Sequence, residues 1–181
     1  LARRDANPYC TNDKRSGARG LSRLDFMISR LTAQRTLMEE AARLIADSPG
    51  PVFELGLGSG RTFDHLRQIL PDREIFAFDR AIAAHPKSIP DGDHLILGEI
   101  RETLKFCGPR VPGKPAFIHV DLGSGDPTQD LITRSWLSPL VAEWSEPGTI
   151  ILTDRPLEGN FRELPRPPGC PKSGHVLLRA E

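Results

Sequence analysis

The stretch VFELGLGSGRTF, residues 52–63, sets an acid, Glu54, two residues ahead of Gly56, Gly58 and Gly60, which alternate with Leu57 and Ser59. Glycines so spaced serve a chain that must take positive φ or bring its backbone against a ligand. The dinucleotide pattern G-x-G-x-x-G needs its third glycine where this chain has Arg61, so the close helix–strand packing over a pyrophosphate is lost. Glu54 is also a poor neighbour for phosphate and suits a cationic group. Three more acids close apolar runs: Asp79 in IFAFDR, Asp121 in FIHVDLGSGD and Asp154 in TIILTDRP. An acid about 20 residues beyond a glycine loop can accept both hydroxyls of a ribose. Acids at later strand ends can take a proton, hold a hard cation or cap the turn that follows.

Such residues need a frame of short strands. Apolar runs predict strands at Val52 to Leu55, Glu74 to Phe78, His94 to Leu97, Ala116 to Val120 and Thr149 to Leu152. Helical stripes fall between most of them: Phe63, Leu66 and Leu70, then Ile100, Leu104 and Cys107, then Leu131, Trp136, Leu140 and Trp144. Strands buried on both faces and separated by helices predict a three-layer α/β fold with a parallel sheet. Ligands of such sheets collect at the carboxyl ends of the strands, where the strand order reverses.

Ahead of the first strand, Leu24, Ile28, Leu31, Met38, Ala42 and Ile45 recur near helical spacing. They predict one long amphipathic helix from Leu21 to Ala46, with Thr32 or Gln34 as the place for a break, and DSPGP at 47–51 ends it. Pro86 and Pro90 leave room for only a short helix between Arg80 and Gly92, and no periodic helix fits between Leu152 and Phe161. The tail sets FRELP, 161–165, against HVLLRA, 175–180, across the rigid loop RPPGCPKSG, a hairpin-like connection. Residues 1–20 lack an apolar period, carry Arg3, Arg4, Lys14, Arg15 and Arg19, and read as an irregular solvated arm. Tyr9 is the arm's one residue suited to stacking on a ligand. Residues 21–181 read as a single domain.

The chain of 181 residues suits one domain with its own core and leaves little material for a second. Lys plus Arg and Asp plus Glu each number 24, so no overall field favours nucleic acid or an anionic membrane. Cys10, Cys107 and Cys170 are odd in number and far apart, unlike a zinc knuckle or a redox dithiol, and fit reduced thiols. No run approaches the roughly 18 apolar residues of a spanning helix, and the amino end has no hydrophobic signal core. A cytoplasmic protein is expected. Trp136 and Trp144 read as anchors of the core or of a homodimer face, and His119 as a core histidine inside a strand.

VFELGLGSG resembles the first motif of the class I S-adenosylmethionine-dependent methyltransferases, in which an acid and a G-x-G-x-G turn end the first strand. The resemblance covers roughly residues 50–155. It implies a Rossmann-like, mostly parallel seven-stranded sheet with an antiparallel C-terminal hairpin, here preceded by an N-terminal helical extension. By position, Glu54, Gly56, Leu57, Gly58, Ser59, Gly60 and Thr62 would wall the methionine part of S-adenosyl-L-methionine. Asp79 would hold the ribose, and Arg80 would lie along the adenine edge. Gly98, Glu99 and Ile100 would line the adenine pocket, although Glu99 reads equally as a first-turn acid at a helix dipole. Asp121 and Leu122 would stand beside the sulfonium methyl, which makes Asp121 the implied catalytic residue, as a general base or an orienting group. The missing helix before Phe161 departs from the family's common pattern.

Asp121 with Asp154 is also similar to the magnesium-binding acids of the catechol-type O-methyltransferases. Arg155, however, occupies the place of that pattern's Asn, and a guanidinium repels a cation, so the metal reading is the weaker one. No Asn-Pro-Pro-Tyr follows the fourth strand and no Pro-Cys pair is present, which sets aside the base and glutamine amino-methyltransferases and the cytosine C5 enzymes. The expectation is an S-adenosyl-L-methionine-dependent methyltransferase acting on an oxygen or nitrogen of a small molecule, with S-adenosyl-L-homocysteine as product. A cofactor-binding module without catalysis and an NAD-type oxidoreductase are the alternatives, the latter disfavoured by Arg61.

Overall fold

The computed structural model describes residues 20–181. The expected arm, with Tyr9 and Cys10, lies outside the described residues except for Gly20. Seven strands form one sheet: β1 (Val52–Leu55), β2 (Ile75–Asp79), β3 (Leu95–Leu97), β4 (Phe117–Val120), β5 (Ile150–Thr153), β6 (Phe161–Glu163) and β7 (Val176–Ala180). Their order is β3-β2-β1-β4-β5-β7-β6. The first five run parallel, while β7 is antiparallel to both β5 and β6. Strand bounds differ from the sequence expectation by one residue: Glu74, His94, Ala116 and Thr149 precede their strands, and Asp79 and Thr153 end theirs.

Two helices cover each face. On one lie α1 (Arg23–Leu44) and α2 (Arg61–Ile69); on the other lie α3 (Ile100–Phe106) and α4 (Pro127–Trp144). Side chains alternate along a strand, so β1 sends Phe53 and Leu55 into the α3–α4 core and Val52 into the α1–α2 core. By the same alternation Glu54 and His119 point beneath α1, and the β1–β4 register sets them side by side. Every residue of β1, β4 and β5 is buried, which is why these strands read as continuous apolar runs.

Helix α1 starts at a capping box, with Ser22 and Asp25 each bonding the other's backbone. At its far end Arg73 donates to the carbonyl of Ile45, the C-cap, and to those of Ser48 and Gly50 in the loop that follows. The helix runs unbroken through Thr32 and Gln34. Its expected apolar stripe needs correction: Ala33, Leu37, Met38, Ala41 and Ile45 are buried, whereas Leu24 and Ile28 are exposed. The reason is length, since the sheet ends beneath Arg30.

Asp126 caps α4 and Pro127 takes its first position. Leu140 is buried, Trp136 and Trp144 pack on the core, and Trp144 Nε1 donates to the Leu104 carbonyl at 2.7 Å. Leu131, grouped with them by spacing, is exposed. Between β2 and β3 only a 3-10 turn forms, at Pro86–Ser88. No helix joins β5 to β6; Leu157, Phe161 and Val176 close that part of the core. In the β6–β7 connection Arg166 donates to the carbonyls of Pro171, Ser173 and His175, and Leu164 and Cys170 pack against the α1–α2 core. Among the described residues no helix is long and apolar enough to cross a membrane.

Candidate active site

At the carboxyl ends of β1 and β4, the point of strand reversal, the chain turns through Gly56 (φ 96°), Gly58 (φ 48°) and Gly60 (φ 78°). A side chain at Gly56 would put its Cβ 2.6 Å from the Asp121 carbonyl oxygen and 2.9 Å from Leu122 Cδ2, so only glycine lets the loop pack on the exit of β4. A Cβ at Gly58 would meet nothing within 4 Å; that side of the loop faces open space. Asp79, ending β2, accepts the Gly58 N–H at 2.8 Å and the Ala81 N–H at 3.3 Å. Gly98 N–H donates to the Asp79 carbonyl at 3.0 Å. Gly56, Gly58, Asp79, Gly98, Asp121 and Leu122 thus form one continuous rim.

Other expected residues take different places. Ser59, Arg80 and Glu99 are exposed around the rim, and Glu99 is the first residue before α3 without a side-chain cap bond. Leu57 and Ile100 point into the two cores, so each offers the crevice its backbone alone. Glu54 stands behind the loop, fully buried. Thr62 donates to its Oε1, and His119 Nδ1 lies 2.6 Å from its Oε2.

Beside this rim lies a region built from paired side chains. Arg30 Nη2 donates to Asp121 Oδ1 at 2.8 Å, and Gln34 Nε2 donates to Oδ2 at 2.9 Å. Asp121 therefore caps no turn; it is gripped by α1. Gln34 Nε2 also lies 3.2 Å from His119 Nε2, completing a chain from Thr62 through Glu54, His119 and Gln34 to Asp121. Burial would raise the Asp121 pKa, but the Gln34 bond and the Arg30 charge hold it below the usual carboxylate range. For His119, burial acts downward, yet the Glu54 carboxylate outweighs it and raises the pKa. A ring protonated at both nitrogens would require Gln34 to present its amide oxygen, turning its N–H away from Asp121. Charging His119 and holding Asp121 therefore compete.

Asp154 is occupied by its neighbour: Arg155 Nε and Nη2 donate to its two oxygens at 2.9 and 3.1 Å, and Arg155 also reaches Asp130 at 3.5 Å. A cation beside Asp154 would have to displace a bidentate guanidinium. Among the described residues no group of three or more His, Cys, Asp or Glu side chains is arranged to hold a metal.

Sequence reasoning missed Arg30, Gln34 and His175. The first two interrupt the apolar stripe of α1 four residues apart, a spacing that aims both at one target. His175, 1% exposed, leaves both ring nitrogens without a hydrogen-bond partner. The β5–β7 register brings it beside Asp154. Burial, then the Arg30 charge, pushes its pKa down to about 4, so the ring is neutral at neutral pH. No sequence motif marks it.

A cleft of about 870 Å³ opens at the opposite end of the strands, lined by Pro49, Pro71, Pro112 and Glu146. Its Arg73 is already committed to three carbonyls, and the site just described lies at the carboxyl ends instead.

Residues 21–180 match the model of a family described as S-adenosyl-L-methionine methyltransferase. The chain is 40% identical to an S-adenosyl-L-methionine methyl transferase from Silicibacter pomeroyi DSS-3, whose crystal structure superposes with a TM-score of 0.81 over 88% of this chain and 99% of that one. Human methyltransferase-like protein 13, solved in complex with SAH, shares the fold alone, at 14% identity and a TM-score of 0.54 over 82% and 81% of the two chains. Among curated proteins none matches. The rim of glycines and Asp79 at the strand reversal, the seven-stranded sheet and this match over nearly the whole described chain agree: the protein belongs to the S-adenosyl-L-methionine methyltransferase family, and S-adenosyl-L-methionine is its cofactor.

Proposed function

We propose that residues 21–181 act as one domain that transfers a methyl group from S-adenosyl-L-methionine to an oxygen or nitrogen of a small molecule. The observation that carries this reading is the rim itself, where Gly58 and Asp79 meet within 2.8 Å at one end and Asp121 lies against Gly56 at the other. The residues present fit the cofactor. Asp79 offers a carboxylate for the ribose hydroxyls, the open side of Gly58 admits a ligand against backbone, and the Asp121 and Leu122 backbone borders the loop at Gly56. Glu54, held by Thr62 and His119, stands behind the loop as an acidic side chain, the residue type that suits a cationic group in front. When bound, S-adenosyl-L-methionine supplies a methyl group on a positively charged sulfur.

The chain's residues contribute alignment and exclusion of water. Asp121, ionised and below the usual pKa range, is a weak proton acceptor and a strong hydrogen-bond acceptor. Its carboxylate keeps lone pairs beyond those given to Arg30 and Gln34, so it orients the acceptor's O–H or N–H. Arg30 and Gln34 close the side toward α1. Arg155 neutralises Asp154 and leaves no cation site there, which favours metal-free transfer.

Calorimetry with S-adenosyl-L-homocysteine and NADH, followed by transfer of labelled methyl groups into a whole-cell extract that is then separated into small-molecule, protein and nucleic-acid fractions, tests the reading. Binding of S-adenosyl-L-homocysteine and a labelled small molecule are expected. Label found in protein or nucleic acid overturns the acceptor class. Binding without any labelled product favours a module without catalysis, and NADH binding alone an oxidoreductase.

A further inference from the structure

Gln34 occupies a place that packing alone would give to an apolar residue. It lies on the face of α1 that buries Ala33, Leu37, Met38 and Ala41, and is itself 2% exposed. A buried amide costs free energy unless its hydrogens find partners. The Gln34 nitrogen carries two hydrogens and has two acceptors in reach, Asp121 Oδ2 at 2.9 Å and His119 Nε2 at 3.2 Å. Turned the other way, the amide would set its oxygen against the Asp121 carboxylate, so the two partners decide its orientation.

The ring beyond Gln34 is fixed in the same way. His119 and Glu54 are fully buried and face each other across the β1–β4 register. Each Glu54 oxygen takes one donor, Thr62 Oγ1 on Oε1 and His119 Nδ1 on Oε2 at 2.6 Å. A carboxylate only accepts, so the neutral His119 ring keeps its proton on Nδ1 and leaves a lone pair on Nε2 for Gln34. We propose, resting on the reading of Asp121 as the group that orients the acceptor, that His119 and Gln34 are its positioning residues. Glu54 sets the tautomer of the ring, the ring fixes the amide, and the second hydrogen of the amide holds Asp121 in place.

Arg30 also grips Asp121, at 2.8 Å, but from a long side chain that is 30% exposed. Gln34 is buried, and its other hydrogen is tied through His119 to the centre of the sheet. Asp121 is thereby set relative to β1 and β4, the strands that carry the glycine loop. Such precision bears on rate, since a misplacement of about 1 Å can cost about 100-fold. A second proton on His119 would turn Nε2 into a donor and the amide away, so only the neutral ring holds Asp121. Glu54, Asp121 and Asp154 surround the ring, and Arg30, His119 and His175 surround Asp121; burial favours the neutral ring and the acids oppose it.

Ring-nitrogen NMR on the full chain with isotope-labelled histidine tests the tautomer. In alkaline buffer His119 should carry its proton on Nδ1 with Nε2 bare; a neutral ring protonated on Nε2 overturns the proposal. That spectrum needs no variant, so it stands even where a variant fails to fold. Gln34→Glu keeps the shape, replaces the donor by an acceptor, and should draw a second proton onto the ring in the same buffer. Gln34→Glu and Gln34→Leu should each keep the wild-type S-adenosyl-L-homocysteine affinity and half-saturating S-adenosyl-L-methionine concentration. Labelling of the small-molecule fraction at saturating cofactor should fall by up to about 100-fold. Labelling within about twofold of wild type in both variants, or a loss matched by weaker S-adenosyl-L-homocysteine binding, overturns the positioning role alone. A wild-type chain that labels no small molecule removes the acceptor reading, and the positioning role with it.

Discussion

The two sides of the crevice are made differently. The side proposed for the cofactor, from the β1 loop across β2 to the start of α3, is mostly backbone: glycines at positive φ, strand ends and one carboxylate, Asp79, bonded to residues nearby in space. The side proposed for the acceptor is mostly side chain, assembled from α1, β4, β5 and β7, with Arg30 and Asp121 91 positions apart in sequence. Backbone can hold a ligand common to a whole family, whereas paired side chains can be exchanged without disturbing the loop. On the proposed reading, cofactor recognition and acceptor choice are separable in this chain, and the buried link from Glu54 through His119 and Gln34 to Asp121 joins the two sides.

That link gives the largest expected effect. His119→Leu leaves Glu54 buried with Thr62 alone to bond it and should destabilise the fold by about 3 to 5 kcal/mol in denaturant melts. Adding Glu54→Leu should recover much of the loss; if the double variant is no better, the pair is not coupled. Acid should expose the acceptor side next. The His175 ring has a pKa of about 4 in the fold against 6.5 unfolded, so below about 6.5 the unfolded chain takes up the proton first. Stability is then lost as pH falls from about 6.5 toward 4, by up to about 3 kcal/mol. Arg30, Asp121, His119 and Asp154 face the same ring, and comparison with His175→Leu isolates its share. That variant removes no hydrogen bond and should flatten the slope in this window; an unchanged slope would assign the acid response elsewhere.

On the cofactor side, Asp79→Ala should weaken S-adenosyl-L-homocysteine binding by about 1.5 to 3 kcal/mol by calorimetry, with melting little changed. Unaltered affinity removes Asp79 from the site. The smallest effect is expected from Arg30→Met. Its ion pair with Asp121 is only partly buried, at 30% and 24% side-chain exposure, and contributes about 1 kcal/mol or less to stability. S-adenosyl-L-homocysteine affinity should stay at the wild-type value. A loss as large as that of Asp79→Ala would join the two sides into one.

The same division explains what the sequence makes readable. Gly56, Gly58 and Gly60 announce their loop because their conformation excludes other residues, and Asp79 follows at a spacing fixed by one strand–helix–strand unit. The strands β1, β2, β4 and β5 were legible because burial on both faces leaves nothing to alternate. Arg30, Gln34 and His175 carry no such local signature; their meaning arises only when the helix, the β4 end and the antiparallel last strand come together. The apolar stripe of α1 misled for a related reason. Periodicity reports that a helix has an apolar face, while the length of the sheet beneath decides where that face stops being covered.

The sheet ends on both sides in strands of three residues, Leu95–Leu97 and Phe161–Glu163, and the second carries Arg162 paired with Glu181. So little unpaired ladder, with charges set along it, gives an incoming strand almost no template for cross-β growth. Concentrated preparations of this protein should therefore resist fibre formation through the sheet.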